Sequence, residues 1–359
     1  MSPFSDIYRD RRVFLTGHTG FKGSWLAAWL REMNANVTGF ALPPPTTPNH
    51  WDLLRLPVAD VRGDIRDVAS VHRAIRSCRP EIVFHLAAQP LVRRSYRDPL
   101  ESWSTNVMGT ANLLEACRTA ETLRAIVVVT TDKVYANREW PWGYRENDRL
   151  GGHDPYSASK AASELVVESY RRAFFCEDTS PLVATARAGN VIGGGDWSED
   201  RLIPDIVRAV EGKKPAEIRL PNATRSWQHV LECVGAYLLL GQQLLSGRRE
   251  FAQAWNFGPG PEDNHTVSDV LNTLHEHWPE ISWSHCEAQQ VNEAKLLHLD
   301  SAKARSLLGW RPVWNLRTAL RATAVWYRQH TMTNKPLTHE QIASYIETAI
   351  HSGCSWATQ

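Results

Sequence analysis

The chain has 359 residues, 43% of them apolar and 22% charged, with a formal net charge of +1. That length supports one large or two interlocked domains with a substantial core. The charge balance excludes nucleic acid as the main partner, because no basic excess exists to neutralise phosphates. No uninterrupted apolar run approaches the ~20 residues that span a bilayer. The six cysteines are scattered without a Cys-x-x-Cys pair. This favours reduced thiols and a cytoplasmic location over a disulfide framework or a zinc site. The first residues lack the basic start and apolar core of a signal peptide, so none is expected. Metal-ligand clusters and internal repeats are not evident.

The first predicted strand, Val13 to Leu15, runs into a loop with Gly17, Gly20 and Gly23, and a helical pattern carrying Trp25, Leu26, Trp29, Leu30 and Met33 follows at once. In such a strand–loop–helix unit Gly17 permits the tight turn, Gly20 admits a pyrophosphate to the backbone, and Gly23 lets helix pack on strand. The helix N-terminus offers donors and a positive dipole end to the same anion. His18, Thr19, Phe21 and Lys22 complete the candidate dinucleotide loop.

A second strand is expected at Val37 to Phe40, closed by the Pro-rich stretch 42–48. Dinucleotide folds place a ribose-binding acid ~20 residues past the loop. Positions 33–51 hold no Asp, Glu, Arg or Lys, so the residues leave NAD and NADP open there. A helix is read at Val68 to Cys78, a strand at Ile82 to Leu86, and a continuous helix from Pro99 to Arg118 with Asn106 inside it. The small residues Ala87 and Ala88, then Gln89, leave room for a flat ring at the strand's carboxyl end. Ala125 to Thr130 is the most strand-like run of all.

Chemistry is expected just beyond that strand. Thr131, Asp132 and Lys133 follow it, and Tyr156 with Lys160 opens a helix running to Phe174. Tyr and Lys at i, i+4 share a helix face, where the lysine cation lowers the phenol's pKa and makes it a base. Leu182 to Ala188 is a sixth strand. Helices are then expected near 203–211, 231–245, 266–277, 316–328 and 339–351. These patterns predict an α/β chain. Residues 1–189 are expected to form a doubly wound parallel Rossmann domain, and 190–359 mainly a mixed α/β substrate domain with the option of returning a strand to the sheet. Asn190, Arg201, Arg225 and His229 are candidate substrate contacts, the arginines by bidentate pairing with phosphate. The 15 tryptophans suit mostly core or interface roles, with sugar stacking an option at Trp140, Trp142 and Trp197.

The glycine loop, Asp64-Ile65, Leu86 to Gln89, Asn106, Thr131 and Tyr156-x-x-x-Lys160 together resemble the extended short-chain dehydrogenase/reductase family over most of the chain. The stretches 17–26, 87–93, 104–110, 131–148, 187–205, 227–230 and 255–259 resemble its nucleotide-sugar 4,6-dehydratase branch, in particular members acting on CDP-glucose. The resemblance implies NAD at the glycine loop, adenine against Asp64 and Ile65, and the nicotinamide ribose near Ala87 to Gln89. It implies Tyr156 as base at the sugar 4-hydroxyl, helped by Lys160 and Thr131, and Asp132 as acid at the departing 6-hydroxyl. The dTDP branch has Glu where this chain has Lys133, which leaves Lys133 and His18 as candidates at C5. A homo-oligomer, dimer or tetramer, is also implied. The rivals are a 4-epimerase, which needs no acid after Thr131, and a non-catalytic dinucleotide sensor, which needs no Tyr156.

Overall fold

The computed structural model describes residues 3–260, 264–286 and 296–358. The main sheet is parallel throughout and contains β1 (Arg12–Thr16), β2 (Asn36–Ala41), β3 (Ala59–Arg62), β4 (Ile82–His85), β5 (Ala125–Val129) and β6 (Leu182–Ala188). Their order, β3-β2-β1-β4-β5-β6, is the doubly wound one, with the switch point between β1 and β4. The runs in β4, β5 and β6 are buried on both faces, which is why β5 in particular reads as a continuous apolar stretch rather than an alternating one. One core cluster lies under the Phe21–Glu32 helix and the C-terminal half, and a second lies under the Val68–Cys78 and Gly109–Cys117 helices.

Beyond β6 the chain leaves the sheet in β7 (Asn190–Ile192), β8 (Ala216–Ile218) and β9 (Thr224–His229). It then returns to the sheet as β10 (Ala254–Phe257), which pairs in parallel with β6, Trp255 opposite Ala186. The Val230–Leu245 helix packs on β5 and β6. The short strands β11 (Asn264–Thr266) and β12 (Trp283–His285) close two small sheets, β11-β9-β7 and β12-β8.

Helix ends fix the site. Asp154 caps the Pro155–Ala173 helix by accepting from Ser157 N at 2.9 Å, with Pro155 in the first turn, so Tyr156 is held at a defined start. The helix expected over 99–118 is interrupted by a π-turn at Ser104–Met108. There the Asn106 carbonyl accepts from Thr110 Oγ1 (2.6 Å) and Ser163 Oγ (2.8 Å), and a widened turn supplies the room.

Candidate active site

The glycine loop is built by steric necessity. Gly17 has φ +75°, and a Cβ there would lie 2.7 Å from Ala87 N, so only glycine lets the loop touch the end of β4. A Cβ on Gly23 would lie 2.1 Å from the Gly17 carbonyl oxygen, so glycine here lets the helix seat on the loop. Gly20, the helix N-cap, differs: a Cβ would meet only the Gly17 oxygen at 3.4 Å, and no side chain caps the helix. Uncapped first-turn N–H groups beside this open space fit a pyrophosphate. Thr16 Oγ1 accepts from both Leu86 N and Ala87 N at 3.1 Å and fixes the β4 end beside the loop. Asn106, from the π-turn, accepts from Gln89 N (2.8 Å) and donates to the Gln89 carbonyl (3.1 Å) and to Ser159 Oγ (2.9 Å). It thus ties the Leu86 to Gln89 turn to the helix of Tyr156 and Lys160, a longer reach than bonding to neighbouring backbone.

The catalytic corner lies past the end of β5. Thr131 caps a single 3-10 turn, Asp132–Val134, and its hydroxyl donates to Asp132 Oδ1 at 2.9 Å. All of Thr131, Asp132, Tyr156 and Lys160 are buried. Burial raises the Asp132 carboxyl pKa, opposed by Lys133, the Thr131 hydrogen bond, Arg225 and Lys22. A carboxyl of raised pKa is better suited than an ordinary one to give a proton to a leaving oxygen. Tyr156 is pushed up to about 12 by burial, with the Thr131 hydrogen bond the first opposing influence and Arg201 a further one. Lys160 is lowered to about 8 by burial and by Lys22, opposed by Glu164, and its Nζ donates to the Val129 carbonyl at 3.2 Å. Thr131 acts on the phenol, while the lysine head is anchored to β5.

The structure brings Lys22 into this corner as well, where its ammonium lies near Cys233, Arg201, Asp132 and Asp196. Arg201 pairs with Asp196 at 3.0 Å, and the charge of Arg225, on β9, also acts on Asp132. Asn190 opens β7 opposite Trp227, directly after Gly189, whose Cα side faces Asp132 Oδ2. Sequence reasoning did not single out Arg219, which with Arg93 stands opposite Asp200. It missed Asp196 too. Isolated charges far apart in sequence carry no spacing signal.

Two expectations are corrected. His18 does not enter the corner: its Nε2 meets Asp60 Oδ1 at 3.0 Å, on edge strand β3. That strand is four steps from β5, roughly 19 Å away. The ring packs over Gly39, whose missing Cβ makes the space. His229, a candidate substrate contact, is instead enclosed by the core. It is fully buried between Trp25 and Trp314, its Nδ1 accepts from Leu231 N at 3.3 Å as a helix cap, and burial lowers its pKa to about 3. Among the aromatics, Trp197 is a core residue against Trp326 and Tyr327, while Trp142 is exposed beside Trp140. Asp64 is paired with Arg66, Ile65 wedges against Gly109, and Asp60 on β3 is paired with Arg62.

Known proteins share this arrangement. Residues 14–323 match the family model described as GDP-mannose 4,6 dehydratase. The chain is 47% identical to a CDP-glucose 4,6-dehydratase of Salmonella typhimurium, over 90% of this chain and 92% of that protein. Among solved structures, a double mutant of the dTDP-glucose 4,6-dehydratase DesIV from Streptomyces venezuelae with NAD bound superimposes with a TM-score of 0.74 at 25% identity, covering 89% of this chain and 98% of the other. The UDP-glucose 4-epimerase of Thermus thermophilus in complex with NAD gives 0.76 at 26% identity, covering 88% and 98%. The chain belongs to the GDP-mannose 4,6 dehydratase family, within the extended short-chain dehydrogenases/reductases.

Proposed function

We propose that this protein is an NAD-dependent nucleotide-sugar 4,6-dehydratase that converts CDP-D-glucose to CDP-4-keto-6-deoxy-D-glucose. The observation that carries the reading is Asp132: a buried carboxyl of raised pKa, bonded to the same Thr131 that bonds Tyr156. A 4-epimerase needs the tyrosine but has no use for an acid there. The 47% identity to the Salmonella enzyme supports CDP as the nucleotide.

Gly17 to Gly23 and the turn Leu86 to Gln89 would hold NAD, with Asp64 and Ile65 on its adenine side. When bound, NAD supplies the oxidant for C4 and the reductant for C6. Tyr156 takes the O4 proton, and Thr131 holds the phenol oxygen toward it. The carbonyl formed at C4 acidifies the C5 proton, and Asp132 protonates the departing 6-hydroxyl. Lys133, next to Asp132 in the chain, would stabilise the enolate, with another group taking the C5 proton. Arg201 and Arg225, with Lys22, supply the cations for a diphosphate. Residues 190–359 in this reading mainly build the substrate side.

We further infer a cytoplasmic homo-oligomer. Six free cysteines support the compartment. Leu100, Met108 and Leu165, exposed on neighbouring helical segments, support self-association. Sedimentation of the wild type and of Leu100→Glu tests this, with a wild type that sediments as a monomer against it. The function is tested by incubating the protein with CDP-, UDP-, dTDP- and GDP-glucose and following the alkaline absorbance of a 4-keto product. Turnover of CDP-glucose above the others is expected, and preference for another nucleotide would overturn the CDP assignment.

A further inference from the structure

Glu164 lies on the helix of Tyr156 and Lys160, four residues past the lysine and so one turn along the same face. Its carboxylate is buried and takes four hydrogen bonds. Oε1 accepts from Thr130 Oγ1 (2.5 Å) and Arg187 Nε (3.0 Å). Oε2 accepts from Thr185 Oγ1 (2.8 Å) and Arg187 Nη2 (2.9 Å). Thr130 directly precedes Thr131 at the end of β5, and Thr185 and Arg187 stand on β6. The arginine continues outward: Nη1 donates to Tyr135 Oη (2.8 Å) and to the Glu146 carbonyl (3.0 Å), and Tyr135 donates to Asn256 Oδ1 (2.7 Å) on β10. One carboxylate thereby joins the catalytic helix to β5 and β6 and, through Arg187, to the loop 131–151.

Buried ion pairs are weak sources of stability, since apolar replacements are often neutral or better. The position of this pair, directly behind Lys160 and Thr131, gives it a different use. The groups acting on Lys160 are Lys22 from the glycine-loop helix, the Val129 carbonyl from β5 and Glu164 from its own helix, and Lys160 in turn acts on His85 of β4. Burial keeps His85 neutral, and Lys22 repels the Lys160 ammonium. Glu164 is the negative charge that acts on it.

We propose that Glu164 is the positioning residue of the catalytic corner: one helical turn from Lys160, it locks the Thr130–Thr131 step of β5, and β6 beside it, to the helix that carries Tyr156 and Lys160. This rests on the proposed function for its catalytic consequence, but the charge of Lys160 can be read without turnover. In the full chain with isotope-labelled lysine, the Lys160 signal, assigned by its loss in Lys160→Met, is titrated by NMR. Wild type should titrate near about 8. Glu164→Gln should titrate roughly one pH unit lower, as expected for loss of one nearby opposite charge. The double variant Glu164→Gln with Arg187→Gln removes both charges, leaves amides to share the hydrogen bonds, and covers a single variant that fails to fold. Its Lys160 should shift in the same direction, because the effect comes from the anion and not from a stranded arginine. Thr185→Val, which keeps the charge, should leave the titration in place.

In kinetics, the alkaline limb of C4 oxidation should move down with the Lys160 titration in Glu164→Gln, a displacement that loss of packing alone does not produce. An unmoved Lys160 titration in both Gln variants, or a shift in the single variant only, overturns the inference. Wild type that turns over no nucleotide sugar would defeat the proposed function instead, and the NMR titration would still decide the role of Glu164.

Discussion

The two sides of this site are held by different forces. On the glycine-loop side the constraints are steric: Gly17, Gly23 and Gly39 each occupy a place where one more carbon would strike backbone or an imidazole. On the catalytic and substrate side they are electrostatic, with burial first and then neighbouring charges shifting the ionisation of Asp132, Tyr156, Lys160 and Lys22. The difference teaches where each kind of substitution acts. Bulk added on the first side should damage the fold and cofactor binding together, whereas charge removed on the second should leave the fold and stop a particular proton transfer.

The sharpest separation is expected at Tyr156. Tyr156→Phe should lower the rate of C4 oxidation by about 10³-fold, ~4 kcal/mol, as for loss of a positioned base. Stopped-flow detection of enzyme-bound NADH checks this, and the melting temperature should barely move. Somewhat less is lost in Asp132→Asn, where elimination should slow by ~10²-fold while C4 oxidation proceeds, so bound NADH accumulates. In the wild type the carboxyl must be protonated to act, so elimination should fade as pH rises through the raised Asp132 pKa. The Asn variant should lose that dependence. If Asp132→Asn slowed both steps equally, the division of labour across the corner would be wrong.

Gly23→Ala tests the steric side. Its new carbon would fall 2.1 Å from the Gly17 oxygen, and relief should cost roughly 1–3 kcal/mol of stability along with NAD affinity. Calorimetric titration with NAD and thermal melting should report both losses together. Full NAD affinity in a destabilised variant would break the comparison.

The smallest effect concerns acid. His50, His85 and His229 are buried, each with a pKa lowered by burial from 6.5 to about 3. Each folded pKa lies below its unfolded value, so the unfolded chain binds the extra proton. Stability is then full above about 6.5 and falls as pH drops toward 3, by up to ~1.4 kcal/mol per pH unit for each histidine. In denaturant titrations from pH 7 to 5, His229→Gln should flatten that slope by about one proton. An unchanged slope would mean that His229 already carries charge in the fold.

Much of the fold was legible because strands buried on both faces announce themselves as runs such as Ile126 to Val129, and because Gly17, Gly20 and Gly23 bracket a strand-to-helix turn. The residues of the catalytic corner were legible for the same reason, lying one loop from a strong strand signal. What sequence could not show was direction. Nothing in the spacing says that His18 points to Asp60 on β3, or that His229 turns inward to cap its own helix. The break at Ser104–Met108 was equally hidden, because the hydroxyls that draw it open come from Thr110 and from Ser163 on another helix. The Glu164–Arg187 pair joins residues on different elements, and only the fold brings them together.

The central claim is that one site oxidises C4 and reduces C6 of the same sugar without releasing the reduced cofactor. CDP-glucose carrying deuterium at C4 tests it directly, with the product read by mass spectrometry and NMR. The account predicts deuterium at C6 of the 4-keto-6-deoxy product and no net change in free NADH, with solvent hydrogen entering only at C5. Deuterium kept at C4, or found in NADH released to solution, would contradict it.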